Sequence, residues 1–77
     1  MSDWSEEIAA ATAAAERIQA AEEIAEARFD AVYMEAEAAG KLEHAPTTEE
    51  FRDWMAARHA TDAAWGTWSE VMDSKPQ

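Results

Sequence analysis

From Asp3 to Ala39 the chain contains neither glycine nor proline, and Ala, Glu, Ile and Arg dominate the stretch. Mostly strong helix formers with no breaker among them leave one solution, a single long helix over about 4–39. Its start is marked by Asp3-Trp4-Ser5-Glu6, an acidic cap with Glu three residues later, and by Glu7 at the positive end of the macrodipole. Its end is marked by Gly40, read as a C′ glycine, with Lys41 close behind.

Gly40 to Thr47 forms a linker, and Pro46 followed by Thr47-Thr48-Glu49-Glu50 predicts a capping box with Thr47 as N-cap and Glu50 at N3. A second helix over about 48–73 follows, and the tail 74–77 is expected to fray. Gly66 interrupts this helix as a weak point, a kink, or a place where another backbone approaches. With no strand signal or internal repeat, residues 1–77 form one all-α domain, a long antiparallel helical hairpin.

On helix 1, Trp4, Ile8, Ala11, Ala15, Ile18, Ala25, Phe29, Val32, Tyr33 and Ala36 share one side, at the roughly 3.5-residue spacing of a supercoiled seam. Glu22 falls in the middle of that apolar arc, while Ile24 and Met34 project away from it. Helix 2 carries a heavier stripe of Phe51, Trp54, Met55, Arg58, Thr61, Trp65, Trp68 and Met72, flanked by Ala57, Ala64 and Val71. Large side chains there face the alanines of helix 1, and a turn near residues 43 and 44 sets the register. That register brings Arg58 beside Phe29 and Asp30, in reach of Asp30 or Glu26, and Trp65 beside Glu22, which accepts its indole N–H. The arms are then unequal: Met1 to about Ala13 overhangs, leaving Trp4 and Ile8 uncovered.

Composition says why the overhang matters. Of 77 residues 48% are hydrophobic, yet 20 of these are alanine, and only 17 larger apolar side chains remain. At roughly 1.5–3 kcal/mol per buried large side chain, against roughly 1.5 kcal/mol of ordering entropy per residue, a lone monomer is close to balance. A second copy is the simplest cover, giving a homodimeric four-helix bundle; a foreign protein is the alternative. The partner-binding residues on either reading are Trp4, Ile8, Trp65, Trp68 and Met72.

The absence of cysteine excludes a disulfide framework, zinc-thiolate sites and thiol catalysis. No phosphate loop, GxSxG elbow or HExxH motif occurs, and neither His44 nor His59 has the Glu three residues before it that a di-metal bundle needs. A non-enzymatic protein without cofactor or metal is expected. The acidic N-terminus is unlike a signal peptide, and no apolar run approaches a membrane span, so a cytoplasmic protein is expected, in a host cytoplasm if phage-encoded. A net charge of −11 opposes nucleic acid and anionic membranes and favours a basic or apolar-grooved protein partner.

Glu16, Glu23, Asp30 and Glu37 recur every seven residues along the longer arm. This acidic face either solubilises an alanine-rich protein or imitates a phosphate backbone. Three roles follow: a small inhibitor or regulator binding a target through Trp-rich surfaces, an acidic nucleic-acid mimic, or a small assembly subunit. In composition alone the chain is similar to the small, acidic, cysteine-free proteins that phages direct at host or defence machinery.

Overall fold

The computed structural model describes residues 3–75. Two α-helices, α1 (Trp4–Ala38) and α2 (Glu49–Asp73), are joined by a 3₁₀ connector (Leu42–Thr47). They pack antiparallel into a hairpin 60 × 15 × 14 Å, and no strand occurs among the described residues. No helix there is long and apolar enough to cross a membrane.

The end of α1 follows from Gly40. It sits at φ +69°, the left-handed region open to glycine. Its N–H donates to the carbonyl of Glu37 at 3.1 Å, and the Lys41 N–H donates to that of Ala36 at 2.7 Å, the paired bonds of a Schellman motif. At the other end Asp3 occupies the N-cap position, but its side chain makes no capping hydrogen bond, in contrast to the sequence expectation. The cap of α2 also differs: Thr48, one residue later than expected, accepts the Phe51 N–H on its hydroxyl at 3.2 Å. Thr47 belongs to the connector, where its hydroxyl donates to the His44 carbonyl at 2.7 Å. With Thr48 as N-cap, N3 is Phe51 rather than Glu50, and no capping box forms.

The heptad stripe of α1 is the packed one. Trp4, Ile8, Ala11, Ala15, Ile18, Glu22, Ala25, Phe29, Val32 and Ala36 alternate at four- and three-residue steps, and each is buried or half-buried. Tyr33, beside the stripe, is exposed. On α2 the matching line is Trp54, Ala57, Thr61, Ala64, Trp68 and Val71; it keeps Trp54, Thr61 and Trp68 of the expected stripe, takes in its expected flanks, and leaves out Arg58. Arg58 is exposed and makes no ion pair among the described residues; its guanidinium lies 5.7 Å from the centre of the Trp54 ring.

The expected overhang is absent. From Ala38 back to Trp4, α1 spans about 51 Å, while α2 alone supplies about 37 Å. The six connector residues, rising about 2 Å each, add roughly 12 Å to the second arm. The arms are therefore nearly equal, and the end of α2 reaches Trp4, whose indole N–H donates to the Val71 carbonyl at 2.7 Å. The same extension shifts the contacts by about one turn beside the connector, where Phe29 stacks on Trp54 at 5.1 Å instead of meeting Arg58, and by about three turns at the open end, where Trp4 meets Val71. Of the tail, Ser74 closes α2 with its hydroxyl on the Val71 carbonyl, and Lys75 holds its ammonium 5.5 Å from the Trp4 ring centre. Met1, Pro76 and Gln77 lie outside the described residues.

A side chain added at Gly66 meets no atom within 4 Å, so within this chain no backbone approaches there. The two glycines should respond oppositely to alanine. Gly40→Ala is expected to cost about 1–2 kcal/mol through its positive φ, and Gly66→Ala to add about 0.5–1 kcal/mol through helix propensity. Denaturant titration of the two variants measures both.

Candidate interaction surface

Tryptophan does the work across the seam because it is both large and a hydrogen-bond donor. Where α1 presents alanine, the indoles of α2 bridge the gap. The Trp68 N–H donates to the Thr12 hydroxyl at 2.9 Å, and that hydroxyl donates onward to the Ile8 carbonyl at 2.7 Å. The Trp65 N–H donates to the Gln19 side-chain oxygen at 3.0 Å. Glu22, the expected acceptor, sits half-buried one turn away, a direct result of the shifted register. Trp65 and Trp68 also meet edge to face at 5.6 Å.

Around Phe29 a second aromatic group forms. Phe29 contacts Trp54 in a stack and Phe51 edge-on at 5.3 Å, and Tyr33 lies 6.2 Å away. The Trp54 indole nitrogen is buried without a hydrogen-bond partner, the one such side-chain atom among the described residues. An unsatisfied buried donor of this kind costs about 1–3 kcal/mol.

Of the five residues expected to face a partner, four belong to this seam. Trp4, Ile8, Trp65 and Trp68 are half-buried, and three of them are bonded across the hairpin. Met72, at the open end, is 37% exposed. None of the expected acidic residues is engaged by a cation: Glu16, Glu23, Asp30 and Glu37 are all exposed. Among the described residues one carboxylate and one basic side chain come within 4.0 Å, Glu43 and His44. No group of three or more His, Asp or Glu there is placed to hold a metal ion.

The burial is thin throughout. Ala15, Phe29, Ala45 and Thr61 are the buried residues, and no large side chain among those described is fully enclosed. The accessible surface is 5613 Å²; a compact monomer of 8.5 kDa exposes about 4,650 Å². The hairpin carries roughly 1,000 Å² in excess, comparable to the ~800 Å² each partner contributes to a standard interface.

Two Trp→Phe substitutions isolate the indole donors, because both remove about the same ring area. Trp68→Phe loses the cross-helix bond to the Thr12 hydroxyl, which keeps its bond to the Ile8 carbonyl, whereas Trp54→Phe removes an orphan. Urea denaturation is expected to find Trp54→Phe less costly by about 1–3 kcal/mol.

Comparison with protein-family profiles, with curated proteins and with solved structures finds no match for this chain.

Proposed function

We propose that this hairpin is a non-enzymatic protein–protein interaction module, a small inhibitor or regulator that acts by binding a target protein. The observation that carries the reading is the absence, among the described residues, of any fully enclosed large side chain, together with a surface about the size of one interface in excess of a compact monomer's. A helix pair that buries so little gains most from association, because hydrophobic stabilisation scales with the apolar area removed from water.

In the arrangement we favour, two hairpins pack seam flank to seam flank as a homodimeric four-helix bundle. The partly exposed Trp65, Trp68, Tyr33 and Met72 lie at the contact. The tryptophans then have two duties, holding the two arms together and offering their outer edges to the partner copy. That combination suits Trp, which is amphipathic and enriched at interface centres. A module with this geometry, small and strongly acidic, fits a cytoplasmic blocker of the kind phages direct at host or defence proteins.

A second reading rests on the acidic row of α1. Glu16, Glu23, Asp30 and Glu37 are exposed at seven-residue intervals, which is about 10.5 Å per step. Regularly spaced negative charge of this kind would suit a basic nucleic-acid-binding groove, and the protein would then act as a decoy.

Sedimentation equilibrium tests the bundle. The wild-type chain is expected to associate in the micromolar range, and the double variant Tyr33→Gln, Met72→Gln to weaken association at least about tenfold with helix content retained. A wild-type chain that sediments as a folded monomer at every concentration would remove the dimer.

A further inference from the structure

Ile24 and Met34 have no place in the seam. Each lies five residues from Phe29, about 140° around α1, and they are 57% and 67% exposed. They are two members of a second heptad line on the outer face of the helix. Ala20, Ile24, Ala27, Ala31, Met34 and Ala38 follow one another at four- and three-residue steps, and all are exposed. A sustained step of this kind is the signature of a helix-packing seam. The small residues admit a close approach, while Ile24 and Met34 supply the knobs. The bundle contact leaves this face open, since it lies on the far side of α1 from α2.

The acidic row decides what covers it. Glu16, Glu23, Asp30 and Glu37 run along one flank of the line, in the position where coiled coils place the charges that select a partner. A second copy docked antiparallel here is related by a two-fold axis that sets each flank against itself, so four carboxylates would face four carboxylates. A parallel copy would set Asp30 near Glu35 and Glu23 near Arg28, one repulsive pair for each attractive one, so the acidic row brings it no net gain. Like charges in such positions destabilise a pair. The complementary occupant has the opposite sign.

We propose that the outer face of α1 binds a cationic amphipathic helix of a target protein, with apolar residues against Ile24 and Met34 and Lys or Arg against the acidic row. This inference deepens the interaction-module reading and rests on it. Helix-in-groove recognition works through such i, i+3, i+4, i+7 anchors. The acidic row adds attraction at a distance and speeds encounter, and the apolar line sets the lifetime of the complex.

The test uses the full chain and a synthetic helical probe with Leu at its heptad core positions and Lys on both flanks, with binding followed by calorimetry. Three variants are compared with wild type. Ile24→Gln with Met34→Gln keeps charge and helix propensity and is expected to weaken binding at least about tenfold. Glu23→Lys with Asp30→Lys is expected to abolish it. Glu43→Lys with Glu70→Lys makes the same change in net charge away from this face and is expected to stay within about threefold of wild type. Equal losses in both charge-reversed variants would reduce the attraction to net charge and overturn the proposal, as would full binding by the Gln variant.

Sedimentation of the Gln variant separates this proposal from the dimer. Association like that of wild type supports the assignment of the face to a foreign helix, and loss of association would assign it to a second copy instead. Failure of the face with the bundle intact leaves the module reading standing; a chain that neither associates nor binds the probe ends both.

Discussion

The polar contacts between the two long helices begin at indole N–H groups: Trp4 to the Val71 carbonyl, Trp65 to Gln19 and Trp68 to Thr12. An alanine-lined helix cannot fix its own register, because small side chains interdigitate weakly and slide. A tryptophan resolves this by filling the space over alanine and ending in a donor that needs one particular acceptor. The Thr12 hydroxyl shows how tight the requirement is, since it accepts from Trp68 while donating back to Ile8 within its own helix. The alignment of the hairpin depends on these bonds more than on any ion pair.

That alignment in turn depends on the connector. Six residues in a 3₁₀ helix advance farther per residue than an α-helix does, so the shorter second arm reaches the start of the first. Equal arms remove the exposed stub that an unequal hairpin would leave, yet they do not thicken the core. Two helices bury one stripe each, and here even Phe29 retains 8% exposure. The fold is thus complete in topology and incomplete in burial, which is the physical basis for reading it as a component of something larger.

Much of the architecture was legible in the residues. The uninterrupted helix formers, Gly40 and Pro46 placed the helix boundaries within a residue or two, and the three-and-four spacing identified the packed face of α1 except at Tyr33, which is exposed. The register was not legible, because periodicity reports which face is buried and carries no record of the axial advance of a 3₁₀ turn. Adjacent threonines ahead of two glutamates made the N-cap ambiguous by one position. Arg58 looked like a seam residue because Trp54 and Trp65 bracket it at helical spacing; between Trp54 and Thr61 the packed line passes instead through Ala57, expected only as a flank. The acceptors Gln19 and Thr12 were missed because their roles exist only once the register is known. The outer line through Ile24 and Met34 was visible as a departure from the seam, and its regularity became clear only when the seam was fixed.

The sequence distance spanned by each cross-helix contact grows steadily from the turn outward. Phe29 and Phe51 are separated by 22 residues (51 minus 29), Trp65 and Gln19 by 46, and Trp4 and Val71 by 67. Closing the widest of these loops costs about 1 kcal/mol more entropy than closing the narrowest, if each forms alone. Formed in order, each contact shortens the loop left for the next, so the cheapest route is a zipper that starts at the aromatic group beside the connector and ends at Trp4. Opening runs the other way. The two chain ends part first while the Phe29–Trp54 stack still holds, which makes the end of the hairpin farthest from the connector the part most readily lent to a partner.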